Sequence, residues 1–155
     1  MSVKIKFAKV KEGAIVPSRG SEKAAGYDLH ACLDRIDDEF KDHVQIEIPP
    51  NQTVKVGTGL SIQPPEGYFG AIFARSGLAT KQGLRPSNCV GVCDEDYRGE
   101  YIVALYNDSD QYRYIYHGDR IAQLVFLPYL DGEFEEVDSL DETERGSGGF
   151  GSTGK

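Results

Sequence analysis

The chain is patterned as short apolar segments that alternate with turn residues. The segments hold three to seven residues, are rich in β-branched and aromatic side chains, and have Gly, Pro, Asn or Asp within two residues of an end. Segments of this kind predict β-strands. The candidate strands are residues 44–48, 54–56, 59–62, 68–73, 101–106 and 121–127. Many short strands at such spacing predict an all-β fold, either an antiparallel barrel or a double-sheet jelly roll.

The same patterning predicts two further elements. Val3, Ile5 and Phe7 recur at a period of two, which predicts an N-terminal strand. The best helix candidate is residues 76–82, barely two turns, which begin at Ser76 and end before Gly83. The N-terminus lacks the apolar core of a signal peptide, and no apolar run approaches the roughly 18 residues of a membrane span. We therefore expect a soluble intracellular chain with no membrane partner, in cytoplasm or nucleus or encoded by a virus in a host cell.

Composition limits the classes of function. The 155 residues suit a single domain, and 39% hydrophobic with 27% charged residues is typical of a globular protein. The net charge of −8 argues against stable nucleic-acid binding, because a polyanion requires a basic face. A small anionic ligand stays possible, since a few arginines and a divalent cation can hold it within an acidic protein.

The cysteines and histidines do not have metal-ligand spacing. They are Cys32, Cys89, Cys93, His30, His43 and His117. An odd cysteine count without a CxxC pair argues against a disulfide framework and against a zinc site. We interpret all six as packed or surface residues.

The C-terminal segment differs in composition from the rest of the chain. Residues 131–144 contain eight Asp or Glu among fourteen positions, and residues 145–155 are rich in Gly and Ser. Composition alone favours a disordered terminus. Phe150, with Arg145 upstream and hydroxyls downstream, favours a functional arm instead. We therefore divide the chain into a β domain, residues 1–130, and an acidic linker with a Gly-rich arm, residues 131–155.

Two N-terminal motifs contain candidate site residues. In residues 24–31 (AAGYDLHA), small residues permit close backbone approach, and Asp28 lies between apolar neighbours, where it needs a partner or a metal. The alternative is a turn Asp that caps a local N–H group. In residues 74–79 (ARSGLA), Arg75 ends a strand and Ser76-Gly77 opens the helix, an arrangement that binds phosphate. The alternative is a Ser N-cap beside a surface Arg.

A third motif, residues 88–100 (NCVGVCDEDYRGE), is an apolar strand carrying Asn88 that runs into an acidic turn. An Asn side chain can recognise the donor and acceptor edge of a base. Asp94 can act as a general base toward water, and Tyr97 offers a flat face to a sugar or base. The alternative is an Asp-rich hairpin turn with a packed Tyr.

Two more motifs follow toward the C-terminus. In residues 118–124 (GDRIAQL), Gln123 falls on the same strand face as Ile121 and Val125, where a polar residue needs a partner. Asp119 and Arg120 favour a structural pairing. Residues 145–154 are Gly-rich and can wrap a phosphate chain with backbone N–H groups, although the P-loop spacing is absent. We expect this segment to become ordered when ligand binds.

These five segments, in this order, resemble the five motifs of the trimeric dUTPase family over residues 24–154. The resemblance implies a distorted β jelly roll with one short helix, assembled as a homotrimer. Three active sites would lie at subunit boundaries, and the exchanged C-terminal arm would close over a site built by other subunits. The implied reaction hydrolyses dUTP to dUMP and pyrophosphate with Mg²⁺, which keeps uracil out of DNA and supplies dUMP for thymidylate synthesis.

The resemblance also implies a role for each motif residue. Asp94 would activate the attacking water at the α-phosphorus, with Arg75 and Gln123 as further catalytic residues, and Asp28 would hold Mg²⁺ through waters. The substrate-binding residues would be Ser76 and Gly77 for phosphate, Asn88 and Gly91 for uracil, Tyr97 under the deoxyribose, and Arg145, Phe150, Gly151, Ser152 and Thr153 of the arm. Phe150 would stack on uracil, and Arg145 would contact the γ-phosphate.

Two departures and two rival functions accompany this resemblance. Ala74 stands where the family often has Pro, and Cys93, beside Asp94, stands where it usually has Ile or Val; a buried cysteine at this position would be inert toward thiol reagents. One rival is a dCTP deaminase, or a deaminase with dUTPase activity, on the same fold. The other is a non-enzymatic regulatory protein that has kept the nucleotide pocket.

Overall fold

A computed structural model describes residues 3–34 and 44–149 of the chain. Within those ranges the protein is all-β with one short helix, as the patterning predicted. The strands are β1 (Lys6–Lys9), β2 (Ser18–Arg19), β3 (Tyr27–His30), β4 (Gln45–Ile48), β5 (Thr53–Gly57), β6 (Leu60–Gln63), β7 (Tyr68–Phe73), β8 (Leu84–Pro86), β9 (Gly91–Cys93), β10 (Ile102–Asn107), β11 (Arg113–Tyr116) and β12 (Arg120–Pro128), and α1 is Ser76–Gln82.

The strands pair only in antiparallel fashion within the described ranges. The largest sheet has the order β2-β3-β12-β7-β9, and it places the long strand β12 between β3 and β7. The remaining strands form β5-β10-β8, β1-β6 and β11-β4. This order brings the motif beginning at residue 24 beside the motif ending at residue 124.

The core follows from the alternation of apolar residues along the strands. In β10, for example, Val103 and Leu105 are buried while Ile102 is exposed. Burying one such aliphatic side chain stabilises the fold by roughly 1.5–3 kcal/mol. Asn107, on the same inward face, is fully buried, and its Nδ2 donates to the carbonyls of Ile48 at 2.9 Å and Gln111 at 2.7 Å. The polar position therefore fixes the chain around β10 instead of disrupting the core.

The helix spans the predicted residues but begins differently from the capped alternative. Arg75 is the N-cap in an extended conformation, no side chain caps the helix, and Ser76 is its first helical residue. The Ser N-cap alternative is therefore wrong. Gly83 ends the helix with φ 68°, a left-handed conformation that favours glycine, and its N–H bonds to the carbonyl of Leu78.

Strand β12 contains an irregularity that corrects one prediction. The register with β3 shifts between Arg120 and Ala122, and Ile121 and Ala122 are both buried in the core. Gln123 therefore shares its face with Val125 but not with Ile121, because the bulge interrupts the period of two. Asp119 and Arg120 also do not pair with each other: Asp119 Oδ2 accepts from the N–H of Tyr116 at 2.9 Å.

The segment after β12 forms neither strand nor helix in its described part, up to residue 149. Its side chains from 130 to 147 are exposed, including Leu130, Phe134 and Leu140. No helix in the described ranges is long and apolar enough to cross a membrane.

Candidate active site

A cleft of about 680 Å³ opens beside the central strands of the largest sheet. Its charged lining residues are Asp28, Arg75 and Arg120, and Gln123 supplies a further polar group. The strand order explains this grouping, since Gln123 of β12 pairs with Asp28 on one side and with Phe73, two residues before Arg75, on the other. The structure thus brings together three of the predicted site residues, Asp28, Arg75 and Gln123.

Asp28 is held between two guanidinium groups. Arg75 Nε donates to its Oδ1 at 2.9 Å, and Arg120 Nη1 donates to its Oδ2 at 3.4 Å. The Asp28 side chain is only 16% exposed, so these partners satisfy a largely buried carboxylate. The alternative in which Asp28 caps a local N–H is therefore not observed. Two cations around one carboxylate leave the cleft with a net positive charge, which suits an anionic ligand.

Gln123 fixes the end of β7 through its amide. Its Nε2 donates to the carbonyl of Ala74 at 2.8 Å, directly before Arg75. Its Oε1 lies so close to Gly26 that a Cβ at that glycine would be 2.7 Å away. Gly26 is therefore required by close approach, as the small residues of the first motif predicted. The polar partner that Gln123 needs at this position is therefore the carbonyl of Ala74, directly after β7.

The donor set of the cleft fits a magnesium ion that arrives with its substrate. Asp28 is the only carboxylate in the lining, and no group of three or more His, Cys, Asp or Glu with metal-binding geometry occurs among residues 3–34 and 44–149. Mg²⁺ keeps several waters and binds through one or two protein carboxylates together with substrate phosphates. Asp28 would hold such an ion through water molecules, and the phosphate oxygens of the substrate would bind the ion directly.

The turn between β8 and β9 carries Asn88, which is exposed. The prediction that Asn88 lies on a strand is wrong, because β9 begins only at Gly91. Cys89 follows with φ 62°, and the N–H of Val90 bonds to the carbonyl of Asn88 at 2.7 Å. A Cβ at Gly91 would lie 3.5 Å from Nδ2 of Asn88 and 3.2 Å from Ile72. The tight turn therefore presents the Asn88 amide and neighbouring backbone groups to the solvent.

Asp94 begins a turn directly after β9. Its carbonyl accepts from the N–H of Tyr97 at 3.1 Å, and Arg98 Nη1 donates to the carbonyls of Glu95 at 2.6 Å and Tyr97 at 3.0 Å. The Asp94 side chain is exposed and has no hydrogen bond within the described part of the chain. A rigid turn thus carries a carboxylate that is free to accept a proton from water.

Tyr97 is both anchored and accessible. Its hydroxyl donates to the carbonyl of Glu100 at 3.0 Å, and its ring lies 6.2 Å from that of Tyr101. The side chain is nevertheless 43% exposed. Tyr97 is therefore packed, as the structural alternative expects, and it still has an accessible ring face for a ligand.

Asp94 and Tyr97 do not join the cleft of their own chain. Cys93 of β9 pairs with Gly70, whereas Gln123 of β12 pairs with Phe73. Asp94 thus falls opposite Phe69, four residues along β7 from Phe73, which corresponds to ~13 Å. Across the sheet, β9 and β12 are separated by two strand spacings, ~10 Å. The turn between β8 and β9 is nearer, since Cys89 lines the cleft.

The phosphate-binding candidates occupy two different places. Ser76 and Gly77 are exposed at the start of α1, next to Arg75, and a Cβ at Gly77 would meet no atom within 4 Å. Arg145 lies in an exposed turn of the C-terminal segment, where its Nε donates to the carbonyl of Gly148 at 2.8 Å. Phe150, Gly151, Ser152 and Thr153 lie outside the described residues.

Burial changes the titration of two groups near the site. Burial raises the pKa of the Cys93 thiol to about 11, with a smaller opposing effect from the Tyr101 hydroxyl. Burial also lowers the pKa of His30, whose Nδ1 has no partner among the described residues. Cys93 is therefore a packed thiol, and the exposed thiol of this region is Cys89.

Arg120 is a site residue that the sequence did not indicate. It was assigned to structural pairing, yet it lines the cleft and contacts Asp28. The contact depends on the register between β12 and β3, which joins positions 92 residues apart, so no local pattern could reveal it.

Three comparisons relate the chain to known proteins. A family model described as dUTPase matches residues 12–154. The deoxyuridine 5'-triphosphate nucleotidohydrolase of Desulfitobacterium hafniense is 49% identical over 156 residues, which cover 99% of this chain and 97% of that protein. The mitochondrial protein of that name from Homo sapiens is 44% identical, covering 99% of this chain and 56% of its own length.

Solved structures agree with the predicted jelly roll. The dUTPase of Staphylococcus bacteriophage 80alpha, solved with dUPNHPP, has a TM-score of 0.85 at 25% identity and covers 99% of this chain and 100% of that one. A G164S mutant of that phage protein with dUpNHpp gives 0.84 at 24% identity, with the same coverage. The arrangement of strands is thus shared across a large sequence divergence.

Proposed function

The chain belongs to the dUTPase family, and we propose that it catalyses attack of water on the α-phosphorus of dUTP, releasing dUMP and pyrophosphate. The observation that carries this proposal is a cleft with net positive charge, built by Asp28, Arg75 and Arg120, in a protein whose net charge is −8. Local cationic groups of this kind select an anionic ligand despite the acidic surface. The product dUMP would feed thymidylate synthesis, and removal of dUTP would keep uracil out of DNA.

Arg75 can serve Asp28 and a phosphate at the same time. Its Nε makes the contact with Asp28, and neither terminal nitrogen of the guanidinium has a hydrogen-bond partner among residues 3–34 and 44–149. A phosphate group beside the start of α1 would meet these nitrogens together with Ser76 and Gly77. Gln123 holds the Ala74 carbonyl, and it therefore sets the direction from which Arg75 approaches.

Asp94 is the residue proposed to take the proton from water. Its carboxylate is exposed on a turn stabilised from within by Arg98, so its position is defined while its oxygens stay free. Mg²⁺, held by Asp28 through waters, would neutralise charge on the triphosphate and on the leaving pyrophosphate. Arg75 and Arg145 would add fixed positive charge along the phosphate chain.

The wide separation of Asp94 from the cleft supports a site shared between chains. About 13 Å along β7 is too far for a water on Asp94 to reach a phosphate in the cleft of the same chain. We propose a homotrimer in which one chain supplies the cleft, a second supplies the Asp94 turn, and an arm covers both. In that arm Arg145 would meet the γ-phosphate, Phe150 would stack on uracil, and Gly151, Ser152 and Thr153 would bind phosphate oxygens.

Selectivity is proposed to reside in the β8–β9 turn and in Tyr97. The Asn88 amide and the backbone near Gly91 would pair with the uracil edge, and mispaired polar groups would reject cytosine. The tight turn leaves little room for a thymine methyl group. The ring of Tyr97, anchored through its hydroxyl, would lie under the deoxyribose and exclude a 2′-hydroxyl.

The test is product analysis of the purified protein with Mg²⁺ and each of dUTP, dCTP, dTTP and UTP. Conversion of dUTP alone to dUMP and pyrophosphate would support both reaction and selectivity. Ammonia from dCTP would favour the deaminase instead. Tight dUTP binding without turnover, by protein shown to be folded and trimeric, would favour the regulatory binding protein.

A further inference from the structure

Three segments far apart in sequence meet beside the Asp94 turn, at Gly67, Glu95 and Tyr129. Glu95 Oε2 accepts from the N–H of Gly67 at 2.7 Å and from the hydroxyl of Tyr129 at 2.8 Å. The N–H of Tyr129 donates in turn to the carbonyl of Gly67 at 3.1 Å. These three hydrogen bonds close a ring of contacts, which we name the Glu95 latch.

The three members of the latch belong to different parts of the chain. Glu95 directly follows Asp94, Gly67 lies in the turn before β7 with φ 75°, and Tyr129 directly follows β12, where the C-terminal segment leaves the domain. The latch therefore fixes the Asp94 turn to the domain and to the exit point of the arm.

The Asp94 carboxylate has no hydrogen-bond partner among the described residues, so its position depends on how its turn is held. Its direction is set by the backbone of the turn at residues 94–97. Arg98 holds that turn from within, through the carbonyls of Glu95 and Tyr97. The Glu95 side chain ties the same turn to Gly67 and Tyr129, and Ser61 Oγ donates to the carbonyl of Arg98, just after the turn, at 2.8 Å.

The charge on Glu95 strengthens the latch. Hydrogen bonds from Tyr129 and from the backbone of Gly67 lower the pKa of the Glu95 carboxyl, and the same contact raises the pKa of the Tyr129 hydroxyl. The carboxylate is therefore ionised at neutral pH and accepts two charge-assisted hydrogen bonds, which are stronger than neutral ones.

We propose that Glu95, with Tyr129 as its partner, is a positioning residue that holds Asp94 in the direction needed for water attack. This role rests on the proposed hydrolysis of dUTP. The Glu95 latch acts on the chemical step, because the cleft, the turn between β8 and β9 and the Tyr97 side chain are held by other contacts. Its loss should lower kcat and leave the KM for dUTP nearly unchanged.

The experiment compares Tyr129→Phe, Glu95→Ala and the double variant with the wild-type protein in steady-state dUTP hydrolysis. Tyr129→Phe removes only a hydroxyl, so folding is preserved. We expect kcat to fall about threefold for Tyr129→Phe and about tenfold for Glu95→Ala, with KM within about twofold, from the loss of charge-assisted hydrogen bonds. The double variant should match Glu95→Ala, because the two changes break one shared contact.

Matched controls come from the turn that contains Gly67. Tyr68→Phe and Glu66→Ala change exposed residues on either side of Gly67 whose side chains make no hydrogen bond in the described part of the chain, and both should keep wild-type kcat. Amide hydrogen exchange gives a readout independent of turnover: the Tyr97 N–H, bonded to the carbonyl of Asp94, should exchange faster in Glu95→Ala and not in Glu66→Ala.

Three results would overturn the proposal. A positioning role toward Asp94 would be contradicted by wild-type kcat in both latch variants, or by a rise in KM without a fall in kcat. It would also be contradicted if the fall in kcat of the double variant were the product of the two single falls. An inactive wild-type protein would instead refute the proposed hydrolysis, and it would remove the role of Glu95 with it. The two failures are thus distinguished by the wild-type and control proteins.

Discussion

Arg75 and Asp28 are joined by a 2.9 Å hydrogen bond between Nε and Oδ1 that spans strand β12. Asp28 lies on β3 and Arg75 lies two residues after β7; these two strands are not paired with each other, and each pairs with the strand that carries Gln123. Asp28, Gln123 and Phe73 are paired in one row across the sheet. The Arg75 side chain extends across the Gln123 position to reach the Asp28 carboxylate. The contact therefore depends on the packing of three distant motifs.

Arg75→Lys should lower kcat/KM for dUTP about 10- to 100-fold and change Tm little. A lysine has a single ammonium group, and it cannot hold Asp28 and a phosphate in a fork as a guanidinium does. Arg113→Lys is the control, because Arg113 Nε donates to the carbonyl of Gln82, and neither residue lines the cleft. Equal losses in the two variants would show that Arg75 has no special role toward substrate.

Asp94→Asn should leave binding of a non-hydrolysable dUTP analogue largely intact and reduce kcat about 10²- to 10⁴-fold, as expected for loss of a general base. Calorimetric titration and steady-state turnover measure the two quantities separately. Asp96→Asn, an exposed change two residues away, is the control. Near-normal turnover in Asp94→Asn would mean that another group takes the proton.

Gly26→Ala should cost about 1–3 kcal/mol of stability and lower activity at least tenfold, because its Cβ would displace the Gln123 amide from Ala74. Gly20→Ala is a matched control in the same cleft, since a Cβ there meets no atom within 4 Å. Chemical denaturation and kcat give the two readouts. Similar behaviour of both variants would argue against the close approach at Gly26.

Deleting residues 145–155 should spare the fold and severely lower kcat. The deleted segment contains no described strand or helix, so Tm should stay within a few degrees of wild type. Removal of Lys155 alone, which lies beyond the segment resembling the fifth motif, serves as the control. A truncated enzyme with full activity would identify the segment as a plain disordered terminus.

Thiol alkylation at pH 8 should modify Cys89 and spare Cys93. The pKa of about 11 keeps Cys93 protonated and burial shields it, whereas Cys89 is exposed and lines the cleft. Mass spectrometry of peptides locates the adduct, and Cys89→Ser should protect activity against the reagent. Inactivation of that variant through Cys93 would contradict the packed state of its thiol.

The strands that could be predicted from the sequence are those with strong apolar alternation. Residues 101–106 and 121–127 match β10 and β12 within a residue at each end, because their inward faces are consistently apolar. Strand β11 was not predicted, since its four residues Arg113–Tyr116 contain one aliphatic side chain among tyrosines and an arginine. Its stability comes from the pairing with β4, which is a tertiary contact.

The sequence indicated three of the residues that line the cleft, but neither Arg120 nor the arrangement of the cleft. Motif order identified Asp28, Arg75 and Gln123, and the cleft contains all three. The bulge that separates Gln123 from Ile121, and the contact of Arg120 with Asp28, depend on register between strands distant in sequence. Local patterns carry no information on such register, nor on the position of β7 between β12 and β9 that separates Asp94 from the cleft.

The distance between Asp94 and the cleft has a consequence for genetics and dosage. If each site combines the cleft of one chain with the Asp94 turn of another, an Asp94→Asn chain and an Arg75→Lys chain can complement each other, because some mixed assemblies contain one intact pair. In such an assembly, activity per chain should also fall on dilution, because a dissociated chain has a cleft and an Asp94 turn that cannot meet each other. The rate per chain would then depend on the concentration of the protein as well as on that of its substrate.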